Sequence, residues 1–399
     1  MKHRILLVPD FFPWILGTWA KEICKWNSSR YDFYFMSSKS AIDNPEVFQE
    51  LANHVDVVHI LSPHCLSKLS QFLDLSKTVS SVHHVAEWST NFDIAIKCKR
   101  IMVVSSEWRD YLVSRGVDGN TISLISNGVA PDKFCVLPSN IKKAAKKRFG
   151  IVENDFVIGT FAKRSSNKND RKGIDTLLDV ITGLKDVLPG VSVKLFVTGP
   201  GWDDLLSSRK ELLGSVIYKP FLSQREICEA YNCLDLYLIS SRIEGGPAPL
   251  IEAMACGIPV VTTAVGMARD IIEDRQNGII IPKDDPRKAV SAIAELQRDK
   301  GLRSRLASNG YHTVTEKFKW EQTVGNISDL YGPVFKYDLK SCLQFLFKRI
   351  RDKKLQNPEL QRENAVLEDN KYWADELKRD GHADHAAVVG DEPVDQLVH

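Results

Sequence analysis

The sequence predicts an α/β protein built from two doubly wound domains. Three observations carry this prediction: a chain of 399 residues, an alternation of short aliphatic runs with helix-length stretches, and a restart of that alternation near mid-chain. A compact domain uses roughly 150 residues, so this length fits two or three domains. Continuous aliphatic runs are typical of parallel strands buried on both faces.

The predicted strands form two series. The first consists of aliphatic or β-branched runs at 5–8, 57–61, 78–82, 100–104 and 121–125. The second follows the basic stretch 142–148 and Gly150, with runs at 156–161, 193–197, 236–239 and 259–262. Strands that alternate with crossover segments indicate βαβ units. We therefore expect a Rossmann-like domain over residues 1–140 and another over 150–335.

The segment that follows the second domain has a different pattern. Residues 338–355 carry six Lys or Arg and two Asp, with apolar residues mostly three or four positions apart, which predicts a basic amphipathic helix. Such a helix either attaches peripherally to an anionic membrane surface or packs on the first domain, and the sequence leaves both interpretations open. We expect a helical extension over 336–380 and a disordered tail over 381–399.

Composition and charge exclude several classes of protein. Fifty-three basic and fifty-one acidic side chains leave a net charge of +2, which argues against nucleic acid as a partner. The eight cysteines show no Cys-x-x-Cys pair or zinc spacing, so reduced, partly buried thiols are expected. The sequence shows neither a signal-peptide pattern nor a run of ~18 apolar residues. We expect a cytoplasmic protein.

The most informative stretch is SSRIEGGPAPLIEAMACGIPVV at 240–261. It follows a predicted strand, opens with a Gly-Gly-Pro loop and enters a helix that we expect from near Pro249 to Gly257. Backbone amides at such a helix start bind anions, and glycines let a phosphate approach the backbone closely. Glu244 and Glu252 bracket the loop, and a carboxylate accepts hydrogen bonds from vicinal sugar hydroxyls. The pattern predicts a site for a sugar joined to a diphosphate.

This stretch resembles the retaining, nucleotide-sugar-dependent glycosyltransferases of the GT-B fold, known as glycosyltransferase family 4 or glycosyl transferases group 1. Their signature of two glutamates with seven residues between them is matched by Glu244 and Glu252, and the similarity extends over roughly 156–282. The resemblance implies two Rossmann-like domains that face a central cleft. It also implies transfer of a hexose from a UDP- or GDP-sugar to a saccharide or lipid-linked saccharide acceptor, as in surface polysaccharide synthesis.

The resemblance further implies roles for individual residues. Glu252 is expected to hold the ribose, Glu244 and His83 to contact the sugar, and Arg164 with Lys172 to draw charge from the leaving diphosphate. Lys163 is an alternative to Arg164, and His84 is an alternative to His83. The remaining residues expected at the donor are Gly245, Gly246, Pro247, Ala248 and, in the loop 10–18, Gly17.

Neither a metal nor a cofactor is expected. The chain contains no Asp-x-Asp motif, and its neighbouring histidines lack a ligand spacing, namely His59, His64, His83 and His84. Four aromatic residues near the start either stack on an acceptor sugar or belong to the core, namely Phe11, Phe12, Trp14 and Trp19. Two alternative functions stay open: a glycoside phosphorylase on the same fold, and a non-catalytic relative that binds a nucleotide or glycan.

Overall fold

The computed structural model describes residues 2–10, 15–164, 170–209, 212 and 214–332. The predicted extension at 336–380, its basic segment 338–355 and the tail at 381–399 lie outside these residues. Contacts divide the described residues into two units: unit 1 comprises those of 2–103, 111–125 and 324–332, and unit 2 comprises those of 104–110 and 126–323. Unit 2 therefore begins earlier than the domain expected at 150–335, and residues 324–332 group with unit 1.

The strands occur where short aliphatic or β-branched runs occur. Their bounds are β1 (His3–Val8), β2 (Tyr31–Phe35), β3 (Val57–Ile60), β4 (Thr78–Val82), β5 (Arg100–Val103), β6 (Ile122–Leu124), β7 (Asp155–Phe161), β8 (Ser192–Thr198), β9 (Val216–Lys219), β10 (Leu236–Ile239), β11 (Val260–Thr263) and β12 (Ile279–Ile281). Strands β2, β9 and β12 were not among the predicted strands. The aromatic run of β2 lacks the aliphatic pattern on which the prediction relied. Strands β9 and β12 are no shorter than strands that were predicted, and the prediction left out the three isoleucines of β12.

The helices connect these strands. Their bounds are α1 (Ile15–Asn27), α2 (Ser38–Asp43), α3 (Pro45–His54), α4 (Leu66–Leu69), α5 (Thr90–Ala95), α6 (Ser106–Ser114), α7 (Ser139–Phe149), α8 (Ile174–Val187), α9 (Asp203–Ser208), α10 (Gln224–Tyr231), α11 (Ala248–Ala255), α12 (Ala268–Ile271), α13 (Pro286–Arg298), α14 (Lys300–Lys317) and α15 (Trp320–Tyr331). Single 3₁₀ turns lie at Pro63–Cys65, Ser70–Phe72, Leu75–Lys77 and Gly119–Thr121. Within the described residues, none of the helices combines the length and apolar character needed to cross a bilayer.

Unit 1 contains a parallel sheet in the order β2-β1-β3-β4-β5-β6. The order reverses between β1 and β3, as in doubly wound folds of the flavodoxin type. Gly17 lies inside α1, which begins at Ile15, so the expectation that it sits in a loop is wrong. Trp19 on the same helix is fully buried, which decides between its two interpretations in favour of the core.

Unit 2 contains a second parallel sheet in the order β12-β11-β10-β7-β8-β9. Counted within the unit, this is the 6-5-4-1-2-3 order of the Rossmann fold, and it confirms the prediction of two doubly wound sheets. The order reverses between β7 and β10. Ligands of open α/β sheets bind at the carboxyl ends of the strands at this reversal, so the loops after β7 and β10 are where a site is expected.

Both faces of the second sheet are covered. In β10, Tyr237 and Ile239 pack with α10 and α11, whereas Leu236 and Leu238 pack on the opposite face with α8 and α13. This alternation follows from the two-residue period of a strand, and each such side chain contributes about 2 kcal/mol when buried. The loops at the sheet edge are thus carried by a rigid layer.

The cysteines have the state that their scatter predicted. All seven described cysteines are free, and each except Cys135 is buried. Among the described residues, no group of three His, Cys, Asp or Glu side chains is placed to hold a metal ion.

Candidate functional site

The candidate site lies at the carboxyl ends of β7 and β10 in unit 2. A small cavity of about 30 Å³ is bordered there by the end of β7, the end of β10, and the side chains of Lys172, Glu244 and Pro247. These three residues come from the two loops that leave the sheet at the reversal of strand order. The topology therefore brings together residues that the sequence placed in separate motifs.

An ion pair joins the two loops. Lys172 Nζ lies 2.5 Å from Glu244 Oε1, and the Ser241 hydroxyl donates to the same oxygen at 2.8 Å. The Glu244 side chain is 11% exposed and that of Lys172 is 32% exposed, so the pair is largely shielded from water. A carboxylate held by an ammonium and a hydroxyl has a fixed direction, and its other oxygen is free of these contacts. The arrangement places one cation and one hydrogen-bond acceptor beside the cavity.

Close backbone packing fixes the position of Lys172. The Ser240 hydroxyl donates to the carbonyl groups of Lys172 and Gly173, each at 3.0 Å. Gly173 has φ +61°, and a Cβ atom there would lie 2.1 Å from the Ser240 carbonyl oxygen. Only glycine fits at this position, because both the backbone conformation and the available space exclude a side chain. The segment before α8 is thereby attached to the end of β10.

Arg242 ties the same two loops together from the other side. Its Nη2 donates to both carboxylate oxygens of Asp175, at 2.9 and 2.8 Å, and its Nε donates to Asp284 at 2.7 Å. Its Nη1 donates to the Asp170 carbonyl at 2.8 Å. The hydrogen bond with Asp175 raises the pKa of the Arg242 guanidinium. A planar guanidinium can serve all these acceptors at once, which an ammonium cannot do.

The glycine-rich loop is closely packed. Met267 N donates to the Gly245 carbonyl at 2.8 Å, and Asn127 Nδ2 donates to the Gly246 carbonyl at 2.5 Å. A Cβ atom on Gly246 would lie 2.9 Å from both Asn127 Nδ2 and Met267 Sδ, so a larger residue there would have to displace the ends of these two side chains. The loop ends at Pro247, the N-cap residue of α11, and Ala248 is the first helical residue. Pro247 and Pro249 carry no N–H group, so an anion at this helix start would be bound by the N–H groups of Gly246 and Ala248.

Glu252 lies one turn into α11 and faces an aromatic cluster. The Tyr231 hydroxyl donates to Glu252 Oε2 at 2.7 Å, and the Tyr231 ring lies 4.7 Å from that of Phe161. Burial raises the pKa of the Glu252 carboxyl from 4.5 to about 7, while the hydrogen bond from Tyr231 acts in the opposite direction. A carboxylate kept from water in this way gains from any ligand that brings hydroxyl donors.

Arg164 and its alternative Lys163, which were expected to act with Lys172 on the diphosphate, do not lie beside Lys172 at the cavity. Arg164 N donates to the Pro200 carbonyl at 3.0 Å, and Arg164 Nη1 donates to the Gly201 carbonyl at 2.9 Å. Its guanidinium is thus directed to the loop after β8. Lys163 is exposed, and residues 165–169 lie outside the described part of the chain. The structure brings Lys172 to the cavity with Glu244, whereas neither Arg164 nor Lys163 borders it.

His83 and Gly17 belong to unit 1. His83 follows β4 directly, and its ring meets that of Trp19 edge-on at 5.9 Å. Its buried Nε2 has no hydrogen-bond partner among the described residues. Burial lowers the pKa of His83 to about 3, with the charge of His84 acting in the same direction. His83 therefore stays neutral at physiological pH. In the same sheet His59 contacts the Ser81 hydroxyl at 2.7 Å and the Tyr331 hydroxyl at 2.8 Å, which is a structural role.

Sequence reasoning missed four residues that the structure places at the site. Ser241 and Arg242 lie inside the recognised stretch, but no sequence pattern indicated that the Ser241 side chain contacts Glu244 or that the Arg242 side chain contacts the 170–175 segment. Tyr231 and Asn127 are distant in sequence from Glu252 and Gly246, their partners. The order of the strands, which no local pattern specifies, brings these pairs together.

Comparisons with known proteins point to one family. Residues 141–313 match the family model described as Glycosyl transferases group 1. The chain is 27% identical over 245 residues to a D-inositol 3-phosphate glycosyltransferase of Streptomyces bingchenggensis, covering 58% of this chain and 52% of that protein. It is 28% identical over 216 residues to a lipopolysaccharide core biosynthesis mannosyltransferase of Rhizobium meliloti, covering 52% and 60% of the two chains. The chain thus spans about half the length of the first of these relatives.

Solved structures show the same fold at low sequence identity. The structure of HepE from Anabaena in complex with UDP and glucose matches with a TM-score of 0.69 and 18% identity, covering 82% of this chain and 98% of that one. Sucrose-phosphate synthase from Thermosynechococcus elongatus matches with a TM-score of 0.67 and 17% identity, covering 83% and 98%. With its two Rossmann-like sheets, the chain has the GT-B fold, and its residues 141–313 are similar to the glycosyl transferases group 1 family.

Proposed function

We propose that the protein is a retaining glycosyltransferase that moves a hexose from a UDP- or GDP-sugar to a hydroxyl group of a saccharide or lipid-linked saccharide. One observation carries the proposal: the Lys172–Glu244 pair and the shielded Glu252 lie on adjoining loop and helix at the strand reversal of unit 2. A cation, a helix start and two carboxylates supply what a sugar, a diphosphate and a ribose require.

The proposed donor site assigns one task to each group. Glu252 accepts hydrogen bonds from the ribose hydroxyls, because hydroxyl donors in addition to that of Tyr231 would offset the burial of its carboxyl. The amides of the loop from Gly245 to Ala248 bind the diphosphate at the start of α11. Glu244 accepts a hydrogen bond from the sugar while Lys172 holds it in place. The roles of His83 with the sugar and of Arg164 or Lys163 with the diphosphate are proposed from the family resemblance.

The proposed reaction uses the donor's own phosphate. The bond between the anomeric carbon and the diphosphate breaks, the acceptor oxygen bonds to that carbon from the same face, and the acceptor proton passes to the departing phosphate oxygen. Negative charge grows on the diphosphate as the bond breaks, and Lys172 with the amides of the helix start stabilises it. This chemistry needs neither a metal nor a separate carboxylate base.

The donor and acceptor are proposed at the level of chemical class. HepE was solved with UDP and with UDP-glucose, and the Rhizobium relative is named a mannosyltransferase of lipopolysaccharide core synthesis. These names support a nucleoside-diphosphate hexose as donor and a saccharide as acceptor. We also propose a cytoplasmic location. A peripheral contact of residues 338–355 with the inner face of a membrane stays a proposal, since that segment lies outside the described residues.

The test is a transfer assay with a stereochemical readout. Release of nucleoside diphosphate from UDP- and GDP-hexoses is measured with a panel of saccharide acceptors, with and without EDTA, and proton NMR determines the anomeric configuration of the product. We expect acceptor-dependent release that EDTA leaves unchanged, retention of configuration, and loss of transfer in Glu244→Ala. Sugar release that requires inorganic phosphate instead of a nucleotide would identify a phosphorylase, and nucleotide binding without turnover would identify a non-catalytic relative.

A further inference from the structure

A second cavity lies in unit 2, at the edge of the sheet opposite the donor site. Its volume is about 680 Å³, and its floor includes Ile151, Leu234 and Ile258. These residues precede β7, β10 and β11 respectively, so the cavity lies at the amino ends of strands whose carboxyl ends carry the donor site. Strand β7 has seven residues and is about 23 Å long at ~3.3 Å per residue, so the two sites are separate.

The wall of this cavity is strongly basic. Five cations line it against two acidic residues, Glu153 and Asp235. Asp235 is already engaged, since its Oδ2 accepts the Val157 N–H at 2.9 Å. We call the cavity the basic groove, and its cations are Lys142, Lys143, Lys146, Lys147 and Arg303. The excess positive charge is local, because the whole chain is nearly neutral at +2.

The four lysines form two rows along α7. Lys142 with Lys146, and Lys143 with Lys147, are each four residues apart, which corresponds to about 6 Å along the helix. Like charges at this spacing destabilise a helix by a few tenths of a kcal/mol per pair. Among the residues that the structure describes, no carboxylate forms an ion pair with any of these four ammonium groups. Within the described part of the chain, the repulsion along α7 is therefore not relieved by an ion pair.

Two of the cations are held close to the cavity. Arg303 comes from α14, and its guanidinium carbon lies 5.4 Å from the centre of the Phe156 ring, which restricts its position. Lys142 is partly buried, and burial lowers the pKa of its ammonium group. An anion bound beside Lys142 would favour the charged ammonium and so offset the cost of burial.

We propose that the basic groove is a second ligand site that binds an organic molecule bearing two or more phosphate groups. The four lysines and Arg303 face the phosphates, and the apolar floor contacts the body of the ligand. The volume of the basic groove lies within the range of roughly 300–1,000 Å³ that small-molecule sites occupy. This volume is more than a single inorganic ion needs. Two sources share this chemistry, a soluble phosphorylated compound and a phospholipid head group at a membrane surface.

The first test uses inorganic pyrophosphate as the probe on the full-length chain. Calorimetric titration at constant ionic strength compares wild type with Lys142→Gln/Lys146→Gln and with the matched control Lys288→Gln/Lys317→Gln, which removes the same charge from exposed positions outside the groove. We expect at least a tenfold weaker affinity in the groove variant and less than a twofold change in the control. Lys172→Gln, altered at the proposed donor site, should also retain groove binding within twofold.

Chemical protection locates the bound probe. Pyrophosphate should slow acetylation of Lys142 and Lys146 several-fold, measured by mass spectrometry, and should leave Lys288 and Lys317 unchanged. Equal acetylation rates with and without pyrophosphate, or equal affinities of wild type and groove variant, would overturn the proposal. Because Lys172→Gln is measured in parallel, a failure here is distinguishable from a failure at the donor site.

Vesicles distinguish the two sources. Sedimentation with vesicles of phosphatidylcholine containing one-third cardiolipin, whose head group carries two phosphates, is compared with sedimentation with pure phosphatidylcholine. Binding to the anionic vesicles that is lost in Lys142→Gln/Lys146→Gln assigns the groove to a lipid head group. Pyrophosphate binding together with equal sedimentation of wild type and variant assigns it to a soluble ligand, and the absence of both kinds of binding contradicts the site.

Discussion

Lys172 Nζ lies 2.5 Å from Glu244 Oε1, although the two residues are 72 positions apart in the chain. The pair unites two motifs, the basic segment before α8 and the glutamate of the glycine-rich loop. In the proposed donor site, the ammonium is assigned to the diphosphate and the carboxylate to the sugar. The first prediction concerns this pair.

Lys172→Gln should lower transfer by about 100-fold or more, because it removes the charge that stabilises the departing diphosphate. The fold should survive, since Ser241 still donates to Glu244, and the loss of stability should be about 1 kcal/mol for this partly exposed pair. Initial rates and urea midpoints measure the two effects. Lys288→Gln, on the exposed side of α13, serves as the control and should leave both unchanged. Wild-type rates in Lys172→Gln would remove this residue from the site.

Arg242→Lys tests how the loop that carries Lys172 is positioned. The substitution keeps the positive charge but cannot serve Asp175, Asp284 and the Asp170 carbonyl together. We expect kcat to fall about tenfold. We also expect KM for the nucleotide-sugar to change less than kcat, since Arg242 acts through Lys172. Steady-state kinetics separate the two constants, and Arg287→Lys on α13 is the matched control. A tenfold rise in KM with an unchanged kcat would contradict a positioning role for Arg242.

Glu252→Gln should change how stability depends on pH. The carboxyl has a pKa of about 7 in the folded chain and 4.5 as its ordinary value, so the folded state binds this proton more tightly. This group therefore makes its full contribution to the free energy of unfolding below about pH 4.5. The contribution decreases as the pH rises and is lost as the pH passes through about 7. Between pH 5 and pH 8 the wild type should lose about 2 kcal/mol more than Glu252→Gln. If the urea midpoints of the two proteins change by the same amount between pH 5 and pH 8, Glu252 does not have the raised pKa assigned to it.

Tyr231→Phe should shift the titration of Glu252 further. The Tyr231 hydroxyl donates to Glu252 and lowers its pKa, so removing the hydroxyl should raise that pKa above about 7. The ionised carboxylate is the better acceptor for ribose hydroxyls. As the pH is lowered, nucleotide affinity should therefore begin to fall at a higher pH in the variant than in wild type. Titrations with nucleotide from pH 6 to pH 9 measure the shift. A pH profile identical to that of wild type would mean that this hydrogen bond does not govern the site.

Gly266→Ala should disrupt the loop that holds Gly245. Gly266 has φ +51°, and a Cβ atom there would lie 1.8 Å from the Gly245 carbonyl oxygen. The backbone must move to accept the methyl group, which should cost about 3 kcal/mol and weaken nucleotide binding. Gly325→Ala, at a helical glycine with open space around it, should be neutral or slightly stabilising. Thermal unfolding with and without nucleotide compares the two variants, and equal behaviour would contradict close packing at Gly266.

The sequence predicts most of this fold because aliphatic runs mark buried parallel strands. The runs at 236–239 and 259–262 became β10 and β11, and the helix expected near Pro249 begins at Ala248. The aromatic run of β2 escaped prediction because its residues lack the aliphatic pattern. Gly17 was placed in the loop 10–18 from the family resemblance, but the structure has it in the first turn of α1.

Individual functional residues were predictable only where a local motif contains them. Glu244, Glu252 and the loop from Gly245 to Ala248 form one contiguous stretch, so the sequence alone could single them out. The hydrogen bond from Tyr231 to Glu252 and the basic groove depend on strand order, which brings distant segments together. Four lysines on α7 look like a solvated helix face in sequence, and only the fold shows that they line a cavity.

The central claim is that the strand reversal in unit 2 binds a nucleoside diphosphate through Glu252 and the start of α11. Calorimetric titration of the full-length chain with UDP, GDP, ADP and their hexose conjugates, at pH 8 where Glu252 is largely ionised, tests it most directly. We predict that one nucleotide binds, that its hexose conjugate also binds, and that Glu252→Gln weakens both by about tenfold. Absence of binding by every nucleotide, or equal affinities of wild type and Glu252→Gln, would contradict the claim.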